Sequence, residues 1–201
     1  MADELLRTEN LKVYYYTRDG IARAVDDISF SMRKGETVGV VGESGSGKST
    51  LGLAILKLVP PPGRIVDGSI LLQGVDLTKL DDKEMQKIRG KNVSMVFQDP
   101  TTSLNPLMKI GDHITQTILA HGSGTVEEAK ARALSLLEDV GILSERFNDY
   151  PHQFSGGMRQ RVGIALALAL NPDLLIADEP TSSLDVIVQF QILDLIIGNG
   201  V

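Results

Sequence analysis

The sequence holds no cysteine. That absence excludes a disulfide scaffold, a Cys-ligated zinc or iron–sulfur site and a cysteine nucleophile. Bases are in deficit: 20 against 26 acids, a formal net charge of −6. This argues against general nucleic-acid binding, which needs a basic footprint. Long apolar runs are missing too. The longest, Val162–Leu170, is interrupted by Gly and Ala and has the length of a core helix, not of a bilayer span. The N-terminal Met1-Ala2-Asp3-Glu4 is acidic and lacks an apolar segment, so it is not read as a signal peptide, and the default compartment is the cytoplasm. What is present is ordinary for a folded globular chain, 42% apolar and 23% charged residues, which speaks against intrinsic disorder. A length of 201 residues suits one large domain or two small ones, each able to bury a core.

The first third reads as β with turns. Leu11–Tyr16 is a short strand, Arg18-Asp19-Gly20 a turn, and Ile28–Met32 alternates. Thr37–Val41 is a compact apolar run that suits a buried strand of a parallel sheet. A Gly/Ser loop, Gly42–Gly47, leads into a helical pattern over Ser49–Leu58 that ends at Pro60-Pro61-Pro62-Gly63. Ile65–Leu72 is predicted as a hairpin around Asp67-Gly68, Asp81–Arg89 as a charged helix and Asn92–Phe97 as a strand. Helices are then predicted over Ile110–Ala120, from a Thr125–Glu128 capping box to Val140 before Gly141, and over Gly156–Leu170. Leu174–Ala177 is a second compact apolar strand, and a last helix covers Val186–Ile197. A β-rich start, a helical insert and a return to a buried strand imply a parallel α/β core with two elaborations.

Gly42-Glu43-Ser44-Gly45-Ser46-Gly47-Lys48-Ser49 matches G-x-x-x-x-G-K-[ST]. Glycines let the backbone point several amides at one anion with no Cβ in the way. The following helix adds its N-terminal dipole, Lys48 brings a point charge to the β- and γ-phosphates, and the Ser49 hydroxyl can enter a Mg²⁺ shell. Downstream, Leu174-Leu175-Ile176-Ala177 runs into Asp178-Glu179. Acids at the C-terminal edge of a buried strand lie where α/β proteins bind ligands. Asp178 can hold Mg²⁺, and Glu179 can orient or deprotonate an attacking water. Taken alone the acid pair is a solvated turn; beside a phosphate loop the functional reading is favoured.

Between these motifs lies Phe154-Ser155-Gly156-Gly157-Met158-Arg159-Gln160-Arg161. The set resembles the ATP-binding cassette (ABC) family, whose signature reads L-S-G-G-Q; Phe154 and Met158 replace its first and last residues. Tyr150–Arg161 and Val96-Phe97-Gln98-Asp99-Pro100-Thr101-Thr102-Ser103-Leu104-Asn105-Pro106 are similar to the oligopeptide/dipeptide importer ATPases. The resemblance implies an α/β P-loop NTPase fold of the RecA-like kind: a parallel core sheet, an N-terminal antiparallel β subdomain and an inserted α-helical subdomain. It divides the chain, an ABC nucleotide-binding domain over 1–201, into an ATP-binding core over about 1–98 and 162–201 and a helical subdomain with the signature over about 99–161.

The same resemblance implies the residue roles. ATP and Mg²⁺ are the cofactors. Nucleotide contacts fall on Gly42, Glu43, Ser44, Gly45, Ser46, Gly47, Lys48, Ser49 and Thr50. Gln98 matches the glutamine that reaches the Mg²⁺ and the attacking water, beside the contact with a membrane partner. Catalysis falls on Glu179, Lys48 and Gln98, and the metal on Ser49, Gln98 and Asp178. Ser155, Gly156 and Gly157 would contact the γ-phosphate of ATP held by another subunit, and Ser183-Leu184-Asp185 would cross the dimer interface. Tyr15 matches the aromatic that stacks on adenine; its alternative is a strand aromatic packed into a small sheet. Other residues favour plain structural readings: His152 braces the loop before the signature, His113 and His121 are surface or helix-packing residues, Arg159 and Arg161 pack the helical part, and Met95 and Met108 fill gaps.

The family pattern continues past Asp185 to a further core strand ending in a switch histidine. No histidine follows His152 and the sequence ends at Val201, so the C-terminal part of the core is expected to be missing and turnover weak. The implied function is an ATP-binding and hydrolysing subunit powering import of peptides or related small solutes through ATP-driven dimerisation. Its partners would be a second ABC ATPase subunit, identical or related, transmembrane permease subunits and, indirectly, a solute-binding protein, with no nucleic acid. Its place would be peripheral, on the cytoplasmic face of the cell membrane. Two alternatives stand beside it: a soluble ATP-gated clamp or assembly protein acting on DNA or ribosomes, and a binding-only regulatory cassette.

Overall fold

The computed structural model describes residues 4–99, 103–122, 124–182 and 184–198, residue 197 by its backbone alone. Pro100, Thr101, Thr102 and Ser183, on which parts of two motifs fall, lie outside the described residues, as do both ends of the chain. The chain divides into two units, residues 1–89 and 90–201.

The first unit is built on an antiparallel sheet. β1 (Glu4–Thr17) and β2 (Gly20–Arg33) form a long hairpin closed by Arg18-Asp19. β3 (Gly63–Leu72) pairs with the other edge of β1, and β4 (Val75–Asp76) turns back on β3, giving the order β2-β1-β3-β4. Leu5, Leu6, Leu11, Val13, Ile70 and Leu72 are buried and form its apolar face; each such side chain contributes about 1.5–3 kcal/mol on removal from water. α1 (Lys48–Ile55) buries Leu51, Ala54 and Ile55. Its C-terminal carbonyls are met by a cation: Arg89 Nε donates to Leu56 O at 2.9 Å and Nη2 to Lys57 O at 3.1 Å. α2 (Asp82–Ile88) starts with a reciprocal Asp81–Glu84 capping box.

Two sequence expectations are corrected here. Thr37–Val41 forms no strand among the described residues, and Val41 is 97% exposed. A compact apolar run fits a buried strand or an extended segment equally well, and only ladder partners decide. Asp67-Gly68 is no hairpin turn, because β3 runs straight through it and pairs with β1 on both sides. The pairing steps from Glu9↔Ser69 to Lys12↔Asp67, so β1 carries an extra residue opposite Gly68. Gly68 has φ +87°, and a Cβ there would stand 2.6 Å from the carbonyl oxygens of Glu9 and Asn10. The Asp-Gly signal marks a bulge.

The second unit holds a short parallel pair, β5 (Val93–Val96) and β6 (Leu174–Ala177), in register Val93↔Leu174 to Val96↔Ala177. Parallel neighbours require a long crossover, and residues 97–173 supply it. α3 (Ile110–Ala120), α4 (Val126–Asp139) and α5 (Gly156–Ala167) pack around Ile114, Ile118, Ala133, Leu137, Phe147 and Val162. α4 opens on the predicted capping box, with Glu128 N donating to Thr125 Oγ1 at 3.2 Å and Thr125 N to Glu128 Oε2 at 2.7 Å. It ends at Val140 before Gly141 at φ +71°. Arg161 Nη1 from α5 donates to Val140 O and Gly141 O at 3.2 and 3.0 Å, which gives that arginine its packing role. His113 is buried rather than superficial: Nε2 accepts from Asn105 N and Nδ1 donates to Lys109 O, both at 2.8 Å. α6 (Val186–Gly198) closes the described chain. Among the described residues no helix is long and apolar enough to cross a membrane.

Candidate functional site

In the first unit, residues 42–47 form a turn-rich loop that enters α1. Gly45 and Gly47 take φ +80° and +95°, conformations open to glycine. A Cβ on Gly47 would stand 2.0 Å from Ala24 O on β2, so the loop passes that strand with no room for a side chain. Gly47 is the N-cap of α1 and offers no side-chain acceptor, so the first amides of α1 keep their donor capacity. Lys48 Nζ donates to Gly42 O and Glu43 O, both at 2.8 Å. The ammonium thus braces the start of the loop whose phosphates the sequence assigns to it. Exposed Glu43, Ser44, Gly45, Ser46 and Ser49 follow the motif's course, with Thr50 half-buried in the first turn.

Tyr15 sits on β1 opposite Ala22 and Gly63. Its ring lies on the backbone of Gly63, where a Cβ would come within 2.5 Å of its Cε1. Its neighbours belong to a polar network: Tyr14 Oη donates to Asp26 Oδ1 at 2.6 Å, and the Arg64 guanidinium lies 4.3 Å from the Tyr16 ring centre. The Tyr14 hydrogen bond holds the Asp26 carboxyl below the usual carboxylate range, and Asp26 in turn raises the Tyr14 phenol.

In the second unit the parallel pair delivers its C-terminal ends to one edge. The ladder's last rung is Asp178 N donating to Val96 O at 3.0 Å. Beyond it both chains turn, and Glu179 takes φ +46°, an unusual backbone for a glutamate. Gln98 Nε2 donates to Glu179 Oε2 at 2.8 Å. Two residues 81 positions apart in sequence are thereby joined, and Asp178 lies half-buried beside them.

The Ser155-Gly156-Gly157 stretch opens α5. Ser155 is the N-cap, and its Oγ accepts from Met158 N at 3.3 Å. Accepting leaves its own proton free to be donated to an anion. His152 stacks on Tyr150 with ring centres 5.8 Å apart, bracing the approach to this cap. Asp185 caps α6, its Oδ1 accepting from Val188 N at 3.1 Å. One residue beside the site escaped the sequence reading: Gln160, 1% exposed, whose Nε2 donates to Phe97 O and Pro180 O. Its signal was a polar residue four positions before Ile164, inside the apolar stripe of α5.

A phosphate loop feeding a helix, an acid pair at the end of a parallel apolar strand and a Ser-Gly-Gly-capped helix define a nucleotide-binding cassette. The ABC transporter family model matches residues 25–182, and the chain belongs to that family. It is 54% identical over 194 residues to the oligopeptide transport ATP-binding protein OppD of Bacillus subtilis, covering 95% of this chain and 54% of the relative. It is 47% identical over 195 residues to the dipeptide transport ATP-binding protein DppD of Escherichia coli, covering 96% and 60%. The chain therefore spans somewhat over half the length of these relatives. Among solved structures, a dimeric post-hydrolysis state of the ATP-binding cassette MJ0796 bound to ADP and Pi matches with a TM-score of 0.88 and 32% identity, covering 96% of this chain and 81% of that one. The fold is thus the mixed α/β cassette, with its antiparallel β part, its parallel strands and its helical insert.

Proposed function

We propose that this chain is the ATP-binding and hydrolysing part of a subunit that powers peptide import across the cytoplasmic membrane. The observation that carries the hydrolytic half is the Gln98–Glu179 hydrogen bond at the end of the parallel pair. It brings one carboxylate and one amide together at the strand exits, the pair of groups that a reaction positioning a water needs. The peptide half is supported by the names of the relatives, oligopeptide and dipeptide transport proteins.

In this reading the amides of Gly42–Gly47 and the first turn of α1, with Thr50, cradle the phosphates, and Lys48 exchanges its carbonyl partners for phosphate oxygens. Tyr15 stacks on adenine. The donor set suits Mg²⁺, a hard cation that takes one or two carboxylates and keeps waters and substrate phosphates for the rest. Asp178 is the carboxylate, the Ser49 hydroxyl serves beside the phosphates, and Gln98 offers the carbonyl oxygen of the amide whose nitrogen is committed to Glu179. When bound, the ion would neutralise phosphate charge. Glu179 takes the proton of the attacking water. Ser155, Gly156 and Gly157 serve the nucleotide of a second cassette subunit, and Asp185, with Ser183, belongs to the segment between the two. Residues 1–98 and 162–201 form the nucleotide-binding core and 99–161 the helical part; the pairing of β5 with β6 supports joining residues 93–96 to the later segment. Transmembrane permease subunits and a solute-binding protein complete the assembly, with this chain peripheral on the cytoplasmic side.

The test is a pair of measurements on the full-length protein. ATP turnover is followed with purified protein, and uptake of labelled di- and oligopeptides is followed in cells carrying or lacking the gene. Turnover without any effect on peptide uptake would overturn the peptide assignment alone. A protein that binds no ATP would overturn the whole reading.

A further inference from the structure

Gln160 occupies an unusual position for an amide side chain. It projects from the first turns of α5, is 1% exposed, and its single NH₂ group is shared between two backbone carbonyls, Phe97 O at 3.3 Å and Pro180 O at 3.1 Å. These carbonyls belong to the residues immediately before Gln98 and immediately after Glu179.

The backbone explains why a side chain is needed there. The β5–β6 ladder ends with Asp178 N on Val96 O. Past that rung Glu179 turns to φ +46°, and Pro180 has no N–H to donate. The ladder cannot continue, and the two carbonyls need donors from elsewhere. Gln160 supplies both hydrogens and forms a further rung made of a side chain. The Gln98–Glu179 bond closes the other side of the same ring.

The arrangement has a cost. Gln160 Oε1 is buried without a hydrogen-bond partner, and an orphaned acceptor is unfavourable. A methionine of similar volume would fill the space without that penalty. An amide kept at such a cost points to its donors.

We propose that Gln160 is a positioning residue that sets the separation of Gln98 and Glu179 by clamping the backbone beside each. This rests on the hydrolytic reading above, in which those two side chains direct the attacking water. Gln160 is buried, and it acts through the two loops whose carbonyls it holds.

The test uses Gln160→Met in the full chain, which keeps volume and removes both donors, with Gln160→Glu as the variant that sets a carboxylate against two carbonyls. Gln160→Met is expected to lower the unfolding midpoint by a few degrees, since two carbonyls lose their donor, and to leave ATP affinity near that of the parent while kcat falls about 10–100-fold, the usual cost of a lost supporting partner. Gln160→Glu is expected to fall further. In a Gln98→Ala background the Gln160→Met effect on kcat is expected to shrink toward none, because the clamp has lost what it positions. Equal loss in both backgrounds, or unchanged kcat, would overturn the proposal. Hydrogen exchange supplies a readout independent of turnover. The amides of Asp178 and Ser182 should exchange faster in Gln160→Met while those of α3 and α4 do not. Unchanged exchange at these two amides would sink the clamp even if the parent chain hydrolysed no ATP, whereas absent turnover with faster exchange would overturn only the hydrolytic reading.

Discussion

Gln98 Nε2 donates to Glu179 Oε2 at 2.8 Å, joining the exits of two parallel strands. The bond commits one carboxylate oxygen to an amide and leaves the other without that partner; in the proposed function Glu179 takes the proton of the attacking water. Glu179→Gln replaces the acceptor by an amide that keeps the shape and cannot take a proton. ATP binding, read by fluorescent-nucleotide titration, should persist within a few-fold, and turnover should fall about 10²–10⁴-fold, the contribution of a positioned base. Turnover at the parent rate would remove Glu179 from that role.

Gly47 is the position where the phosphate loop tolerates no side chain. It combines φ +95° with a Cβ site 2.0 Å from Ala24 O. Gly47→Ala must therefore move either the loop or β2. Strain of this kind costs about 1–3 kcal/mol, so the unfolding midpoint should drop and ATP binding should be lost with it. Gly35→Ala is the control: it also has positive φ, but nothing lies within 4 Å of its Cβ site, so it should cost some stability and leave nucleotide affinity intact. Equal losses of affinity in both variants would mean that the loss follows general destabilisation and not the close approach to Ala24.

Much of this molecule was legible where the signal is local. Helix α3 follows its apolar spacing over Ile110–Ala120, and the Thr125–Glu128 box forms as the side-chain chemistry dictates. The acid pair stands at a strand end because a four-residue apolar run bounded by acids leaves few other options. What escaped depends on partners distant in sequence. Whether Thr37–Val41 joins a ladder is decided by neighbouring strands, which the run itself does not encode. Asp67-Gly68 reads as a turn until β1 is known to pair with both its flanks. Gln160 drew no reading of its own within the signature helix, since only the fold brings Phe97 and Pro180 to its amide.

Tyr15 has two readings that stability and affinity separate. As an adenine platform, Tyr15→Ser should weaken ATP binding about tenfold, while Tyr15→Trp preserves it, stacking being worth about 1–3 kcal/mol per base. As a packed strand aromatic, Tyr15→Ser should chiefly lower the unfolding midpoint. Gly63→Ala makes an independent check, because its Cβ would press within 2.5 Å of the Tyr15 ring. If the ring is the platform, this substitution weakens ATP binding without touching any other proposed contact. Unaltered affinity in both Tyr15→Ser and Gly63→Ala would leave Tyr15 a sheet residue.

The Tyr14–Asp26 bond gives the hairpin a pH dependence with two limbs. Tyr14 donates to Asp26 at 2.6 Å, holding the carboxyl below its ordinary value, and Asp26 lifts the phenol above its own. A lowered carboxyl pKa contributes stability that is present above the unfolded value and lost as pH falls through the folded one. A raised phenol pKa contributes stability that is present below the unfolded value and lost as pH rises through the folded one. The bond is therefore fully effective only between the two ordinary values, about 4 and about 10. Tyr14→Phe removes both limbs together. Measured against the parent, its loss in unfolding midpoint should be widest from about pH 5 to about pH 9 and should narrow toward either extreme. The alkaline absorbance titration should also lose a tyrosine that titrates above the ordinary value. A midpoint difference that stays constant from acid to alkaline pH would mean that Tyr14 stabilises the hairpin through packing and its contact with Arg23, with no contribution from the hydrogen bond to Asp26.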